Sequence, residues 1–176
     1  PLPLGYCNVG IVEAIGEGVT EFKIGDRVVS NGHHAEYVCI SKNLCAKVPD
    51  SVTDNTAIFT VPSSISLQGI RLVQPQIGET VLVIGLGLLG LLTIQILKAN
   101  GCHVIGIDLD DKKREIAEKM GVKTAPASID KIQPLISSIG ADAVIITAST
   151  TSNDPLHLAA QLSRKRGKIV LIGVIG

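Results

Sequence analysis

Three glycines followed by a carboxylate are the residues of this 176-residue chain whose spacing most directly suggests chemistry. Gly85, Gly87 and Gly90 form a Gly-x-Gly-x-x-Gly motif, and Asp108 follows 18 residues after the last of them. In such a motif the first glycine permits a tight turn, the second lets the backbone approach a pyrophosphate, and the third allows a helix to pack closely on a strand. A carboxylate at the end of the next strand accepts hydrogen bonds from ribose hydroxyls. The spacing therefore predicts a dinucleotide site and not merely a tight turn.

The same carboxylate bears on which dinucleotide binds. Asp108 would repel a 2′-phosphate and leave it unpaired, which favours NAD over NADP. Lys112, Lys113 and Arg114 follow closely and have two interpretations, as ligands of a 2′-phosphate or as the solvated first turn of a helix. Because the carboxylate precedes them, we expect NAD to be the cofactor.

Strand and helix signals alternate from residue 79 onward. The predicted strands cover residues 80–84, 103–108, 123–125, 142–147 and 168–172. The predicted helices cover residues 88–100, the stretch from Asp110 or Asp111 to Gly121, the weaker stretch 130–140, and the stretch from Asp154 to Gly167. Aspartates serve as N-caps, and glycines follow the helix ends. Alternation at this spacing predicts a parallel sheet with right-handed crossover connections.

Residues 1–50 instead show short strands separated by glycines, a pattern typical of a small barrel or sandwich. The candidate strands lie in residues 8–19, 22–30, 35–40 and 45–49. From residue 54 to residue 73 the period becomes helical, with a break at Pro62. This change of period predicts two domains, over residues 1–74 and 75–176.

The amino-acid composition indicates which residue types form the core and which classes of partner are excluded. Hydrophobic residues make up 45% of the chain but aromatic residues only 2%, so Val, Ile, Leu and Ala must form the core, as in a sheet buried on both faces. Basic and acidic residues number 16 each, which argues against nucleic acid or an anionic membrane as the main partner. We find no membrane-spanning run and no secretory signal, and expect a cytoplasmic protein. The four cysteines lack paired spacing, which favours reduced thiols over a zinc site.

Several stretches resemble the medium-chain dehydrogenase family, that of the zinc alcohol dehydrogenases. GIVEAIGEGVTEFKIGDRV, residues 10–28, is similar to the GroES-like catalytic module of that family, and VLVIGLGLLGLL with GIDLDDKK, residues 81–92 and 106–113, is similar to its dinucleotide fingerprint. Residues 1–10 and 30–50 are more closely similar to the bi-domain oxidoreductases of bacterial surface-polysaccharide gene clusters. The resemblance implies an α/β fold, in which a Rossmann-type doubly wound parallel sheet is preceded by part of a GroES-like β-rich module. It also implies a fragment that lacks the start of that module, the last Rossmann strands and a fused partner.

The resemblance implies roles for individual residues as well. The glycine motif would approach the cofactor's pyrophosphate through Gly85, Gly87, Leu88, Leu89 and Gly90, and the adenosine ribose would lie beside Asp108 and Lys113. After the fourth strand, the cofactor would be flanked by Thr147 and Ala148. After the fifth strand, its nicotinamide end would be reached by Ile172, Gly173 and Val174. This placement agrees with the rule that ligands bind at the carboxyl ends of parallel strands.

The chain departs from the family at the metal site. Zinc members carry Gly-His-Glu where this chain has Gly5-Tyr6-Cys7, and a cysteine near the position of Thr60. Tyrosine and threonine are poor zinc ligands and one cysteine cannot make a three-ligand site, so we expect no metal. His33 and His34 are adjacent, which favours a surface pair or a substrate-facing loop. We interpret Tyr6 as a packed aromatic side chain, with proton donation as the alternative, and leave the catalytic acid–base residue unidentified.

The leading hypothesis is a zinc-independent, NAD-dependent oxidoreductase that transfers hydride to or from a hydroxyl-bearing carbon of a small molecule. The resemblance implies a sugar or sugar nucleotide and a role in polysaccharide biosynthesis. The alternative is a non-catalytic module that binds NAD structurally or scaffolds a fused partner, and the loss of the zinc ligands motivates it. A zinc-free quinone or enone reductase would usually use NADPH, which Asp108 disfavours. A homo-oligomer is compatible with the sequence.

Overall fold

The computed structural model describes residues 5–176 and contains two compact units. The first unit ends at Val61, and the second comprises Pro62–Gly176. The expected domain boundary after residue 74 stays a prediction. No helix within residues 5–176 has the length and apolar character needed to cross a membrane.

The first unit contains a small antiparallel sheet of three strands in the order β1-β2-β3. These strands are β1 (Tyr6–Ile11), β2 (Arg27–His33) and β3 (Cys45–Lys47), and they confirm three of the four expected strand stretches. The fourth expectation, a strand over residues 35–40, is wrong. Tyr37 is 69% exposed and Val38 39% exposed, so the apolar residues of this stretch face no core that would stabilise a strand.

The helical stretch after the first sheet is interrupted three residues earlier than expected. It consists of α1 (Asp54–Ala57) and α2 (Thr60–Val73), so the break lies at residues 58–59 and not at Pro62. Pro62 lies in the first turn of α2, where the missing N–H removes no intrahelical hydrogen bond.

The second unit is built on a five-stranded parallel sheet in the order β6-β5-β4-β7-β8. In chain order its elements are β4 (Thr80–Ile84), α3 (Leu88–Ala99), β5 (His103–Ile107), α4 (Asp111–Lys119), β6 (Lys123–Ala125), α5 (Ile129–Ile132), β7 (Ala141–Ile146), α6 (Asp154–Leu162) and β8 (Ser163–Leu171). The expected Rossmann-type α/β sheet is confirmed. Because the strand order reverses beside β4, the carboxyl ends of β4 and β7 flank the crevice in which sheets of this type bind ligands.

The core of the second unit lies on both faces of the sheet and is aliphatic, as the composition predicts. Alternate residues of β4 serve opposite faces: Val81 and Val83 belong to one buried cluster, and Leu82 and Ile84 to the other. The first cluster includes residues of α2, α3 and α4, and the second includes residues of α5 and α6. Helices therefore cover both faces and hold β4 rigidly at the centre of the sheet.

Two expectations about the later elements are wrong. Helix α6 ends at Leu162 and not at Gly167, which lies within β8. A Cβ at Gly167 would lie 3.2 Å from the carbonyl oxygen of Ala141, so the glycine allows β8 to approach β7 closely. The expected helix over residues 130–140 is reduced to α5 and a 3₁₀ turn over Gln133–Leu135, because Pro134 cannot continue an α-helix.

Candidate functional site

The glycine motif forms the turn between β4 and α3, and the physical reason for a glycine differs among its three positions. Gly85 has φ +99°, and a Cβ there would lie 2.6 Å from the backbone nitrogen of Ala148. A Cβ at Gly90 would lie 1.9 Å from the carbonyl oxygen of Gly85. The fold itself therefore requires glycine at both positions. Gly87 is exposed, and a Cβ there would meet no described atom within 4 Å. The fold does not require this glycine, so the open space beside it is available to a ligand.

The N-terminus of α3 faces this space. Gly87 is the N-cap residue and provides no side-chain cap, so the first N–H groups of the helix have no intrahelical or capping partner. Leu88 is 53% exposed and Leu89 is partly buried. The helix has 12 residues and no acidic residue in its first turn, which leaves the positive end of its dipole available to a phosphate.

Asp108, directly after β5, is hydrogen-bonded to the same turn. Its Oδ2 accepts a hydrogen bond from Leu86 N–H at 2.7 Å, and its Oδ1 accepts one from Asp110 N–H at 2.9 Å. Each carboxylate oxygen has a second lone pair, so the group can still accept hydrogen bonds from ribose hydroxyls. Sequence reasoning missed Leu86, whose contribution is a backbone N–H that residue type does not reveal.

The basic residues after Asp108 separate in the structure. Arg114 Nη1 donates to the carbonyl oxygen of Asp108 at 2.7 Å, and its guanidinium also pairs with Asp111. Lys112 and Lys113 are exposed on α4, as in a solvated first turn. Arg114 is therefore already engaged within the protein, which favours the structural interpretation of this basic group over the phosphate-binding one.

The residues that follow β7 are bonded to the glycine turn. Thr147 Oγ1 donates to the carbonyl oxygen of Gly85 at 2.6 Å, and the N–H groups of Thr147 and Ala148 both donate to the carbonyl oxygen of Ile84. Thr147 and Ala148 therefore help to fix the shape of the turn, in addition to any contact with a ligand.

The residues that follow β8 continue along β7. The N–H groups of Ile172 and Gly173 donate to the carbonyl oxygen of Ile146 at 2.8 and 3.0 Å. A Cβ at Gly173 would lie 1.9 Å from the carbonyl oxygen of Ala148, and Val174 is 71% exposed. The structure thus brings the expected cofactor residues, apart from Lys113 on α4, to the carboxyl ends of β4, β5, β7 and β8. Their roles in binding stay a prediction.

Comparison with known proteins identifies the family. The sequence profile of zinc-binding dehydrogenases matches residues 89–176, and that of the alcohol dehydrogenase GroES-like domain matches residues 1–50. The chain belongs to the zinc-binding dehydrogenase family. This confirms the family, and the GroES-like character of the first part, that the sequence resemblance indicated.

Relatives of this dehydrogenase family cover nearly all of the chain. An alcohol dehydrogenase of Geobacillus stearothermophilus is 27% identical over 99% of this chain and 61% of its own length. The (R,R)-butanediol dehydrogenase of Bacillus subtilis is 26% identical over 99% of this chain and 59% of its own length. A mycobacterial protein complexed with NADPH is structurally similar, with a TM-score of 0.84 and 28% identity over 97% of this chain and 56% of that one. The chain thus spans about three fifths of the length of the curated relatives it matches.

The residues that the family resemblance places at the zinc positions are not a zinc-binding set. The side chains available there are those of Tyr6, Cys7 and Thr60, and the described part of the chain holds no group of three or more His, Cys, Asp or Glu residues placed to bind a metal. Tyr6 is 51% exposed, so its interpretation as a packed aromatic side chain is wrong. His33 and His34 are both exposed, and His34 contacts Cys7, a pairing that the sequence did not indicate.

Proposed function

We propose that this chain is the cofactor-binding part of a zinc-independent, NAD-dependent dehydrogenase that transfers hydride to or from a hydroxyl-bearing carbon. One observation carries the proposal: of the three motif glycines, Gly87 alone has open space where a side chain would be. Gly87 is the N-cap residue of α3, and the N–H of the preceding Leu86 donates a hydrogen bond to the Asp108 carboxylate. A positive helix end and a hydrogen-bond acceptor suit the pyrophosphate and the ribose of a dinucleotide.

Each part of the proposed site has a distinct role. The first turn of α3 binds the pyrophosphate, and Asp108 accepts the ribose hydroxyls. Thr147, Ala148 and residues 172–174 line the path toward the nicotinamide. The bound cofactor supplies the hydride acceptor or donor, and the protein residues hold it in a fixed position. The substrate oxygen would be polarised without zinc, because Tyr6, Cys7 and Thr60 are not a zinc-binding set.

The substrate class, cellular setting and cofactor preference are also proposals. A sugar or sugar nucleotide, and a role in polysaccharide biosynthesis, rest on the resemblance of residues 1–10 and 30–50 to the bi-domain oxidoreductases. Cysteines that are all free in the described residues are compatible with the reducing cytoplasm. Preference for NAD over NADP rests on Asp108, although the similar mycobacterial structure holds NADPH.

A second candidate, a non-catalytic NAD-binding or scaffolding module, is favoured by the lack of a three-ligand zinc set among Tyr6, Cys7 and Thr60. The two candidates share the cofactor site and differ in turnover. Reduction of NAD with sugars or sugar nucleotides by the purified protein supports the enzyme. Cofactor binding without turnover of any of these substrates supports the module.

Substitution of the motif glycines tests the cofactor site. Gly87 has φ −73° and ψ −165°, which alanine adopts without strain. We expect Gly87→Ala to raise the dissociation constant of NADH at least about tenfold, which corresponds to a loss of ~1.4 kcal/mol of binding free energy. The melting temperature should not change, because the added methyl group occupies only space meant for the ligand. Isothermal titration calorimetry and thermal denaturation measure the two effects.

Two further glycine variants are the controls. Gly16→Ala adds a methyl group at another position with open space and should change neither binding nor melting temperature. Gly90→Ala should lower the melting temperature, because its Cβ collides with the carbonyl oxygen of Gly85. Unchanged NADH affinity in Gly87→Ala would refute the proposed site.

A further inference from the structure

Two side chains that the proposed cofactor site does not use meet in the first unit. Cys7 Sγ lies 3.9 Å from His34 Nε2. An imidazole beside a thiol activates it as a nucleophile, because the imidazole accepts the proton and the thiolate is the reactive form. Cys7 is partly exposed and His34 is exposed, so small reagents can reach both groups.

An irregularity in the β1–β2 ladder positions Cys7. Tyr6 lies opposite His33 and Asn8 lies opposite Ser30, so Cys7 alone faces two residues of β2. A bulge of this kind changes the direction of the side chains beside it. Cys7 also has φ +93°, a left-handed backbone conformation that residues other than glycine seldom adopt. The fold thus holds Cys7 in an unfavourable conformation at the place where its thiol meets an imidazole.

Backbone contacts position His34 as well. Its N–H donates to the carbonyl oxygen of Gly5 at 3.1 Å, and its ring lies over Gly5, where a Cβ would be 3.1 Å from the ring carbon Cε1. On the neighbouring residue, the carbonyl oxygen of His33 accepts a hydrogen bond from Asn8 Nδ2 at 3.1 Å. Since the chain is fixed on both sides of the bulge, the fold sets the distance between the thiol and the imidazole.

We propose that Cys7 and His34 form a reactive thiol–imidazole pair, and that Cys7 is a site of covalent modification by soft electrophiles. The thiol proton passes to His34 Nε2, and the sulfur forms a bond to the electrophilic carbon. With an alkyl halide the carbon–halogen bond breaks, the halide leaves with the electron pair, and the proton is released to water. The product is a thioether, and the reaction needs no oxidant. Two donor groups are too few for a protein metal site, which distinguishes this pair from a zinc centre.

The other cysteines are internal standards. Cys39 is exposed, whereas burial raises the pKa of the Cys45 and Cys102 thiols, which makes them less reactive. If accessibility alone determined the rate, exposed Cys39 would react before partly exposed Cys7. If His34 activates the thiol, Cys7 reacts first.

Labelling with iodoacetamide tests the pair, without dependence on the proposed function. The purified chain is labelled at pH 7, and each cysteine peptide is quantified by mass spectrometry over time. We expect Cys7 to react about 3- to 10-fold faster than Cys39, because an imidazole beside the thiol accepts its proton as the sulfur attacks. His34→Asn should reduce the Cys7 rate to that of Cys39 or below. His33→Asn, which removes the adjacent exposed imidazole, should leave it unchanged.

Two results would overturn the proposal: faster labelling of Cys39 than of Cys7 in the unmodified chain, or an unchanged Cys7 rate in His34→Asn. Cys45 reports on the folding of the variants, because its slow labelling depends on the burial of its thiol. If Cys45 labelling accelerates in His34→Asn, the first unit has opened. In that case the order of Cys7 and Cys39 in the unmodified chain decides the question.

Discussion

At the scale of single residues, a carboxylate that is fixed before a ligand binds can discriminate between two dinucleotides. Asp108 is held by the N–H groups of Leu86 and Asp110, so its charge cannot move away from a 2′-phosphate without breaking these hydrogen bonds. Asp108→Asn keeps the size of the side chain and removes its charge. We expect the ratio of the NADP to the NAD dissociation constant to fall about tenfold, which corresponds to ~1.4 kcal/mol of differential repulsion. Isothermal titration calorimetry with both cofactors measures this ratio.

Glu115→Gln is the matched control for that change, because it removes a carboxylate from an exposed position of α4. A general effect of net charge would alter both variants alike. An equal change in Glu115→Gln, or an unchanged ratio in Asp108→Asn, would show that Asp108 does not select the cofactor.

At the scale of elements, an ionic contact joins three strands of the sheet at the ends opposite the proposed site. Asp142 of β7 accepts hydrogen bonds from Arg164 Nε of β8 at 2.6 Å and from Thr80 N–H of β4 at 2.8 Å. Burial alone would raise the pKa of Asp142, but these hydrogen bonds and the guanidinium charge together lower it from its ordinary value of 3.8. Because the pKa is lower in the folded state, the carboxylate stabilises the fold fully above that ordinary value. The contribution is lost as the pH falls through the folded-state pKa.

Asp142→Asn should therefore lower the free energy of unfolding at pH 7 by about 1.5–3 kcal/mol, the typical value of hydrogen bonds to a charged group. The loss should be smaller at pH 3, because stabilisation by a carboxylate with a lowered pKa declines once the pH falls below the ordinary value of 3.8. Urea denaturation at both pH values measures it. Asp130→Asn, at an exposed position of α5, is the control and should have little effect. An Asp142→Asn variant as stable as the unmodified protein at pH 7 would contradict this account.

The elements that the sequence predicted well are those with local signals. β4 has the predicted limits because a run of buried aliphatic residues lies between a turn and a glycine, and Asp110 caps α4 through its hydrogen bond to Lys112 N–H. The start of β8 was not predictable, because Gly167 serves a close approach to a carbonyl oxygen of β7 that is distant in sequence. Within the sites, Gly85 and Gly90 follow from the motif alone. The Cys7–His34 pair depends on the register of a hairpin and on a bulge, which residue spacing does not indicate.

At the scale of the whole molecule, the two units differ in the size of their buried cores. The described part of the first unit has one small cluster, in which Val29, Val48 and Ala57 are buried, whereas the second unit has two large clusters on opposite faces of its sheet. Hydrophobic stabilisation grows with the apolar area removed from water, and a segment with few buried apolar contacts opens at lower free energy than one with many. The described part of the first unit should therefore open locally while the parallel sheet remains folded.

Hydrogen–deuterium exchange with mass spectrometry tests this difference. We expect the amides of β1 and β2 to exchange faster than those of β4, whose residues 81–83 are fully buried.

NADH at about 100 times its dissociation constant should stabilise the bound unit by ~2.7 kcal/mol. Exchange should therefore slow most in the turn that follows β4 and in the ends of β5 and β7, where the glycine motif and Asp108 lie. Peptides of β3 provide the reference for a segment outside the proposed cofactor site. Exchange of β1 and β2 as slow as that of β4 would contradict the inference from core size. Stronger protection of β3 than of the β4 turn by NADH would contradict the position of the cofactor site.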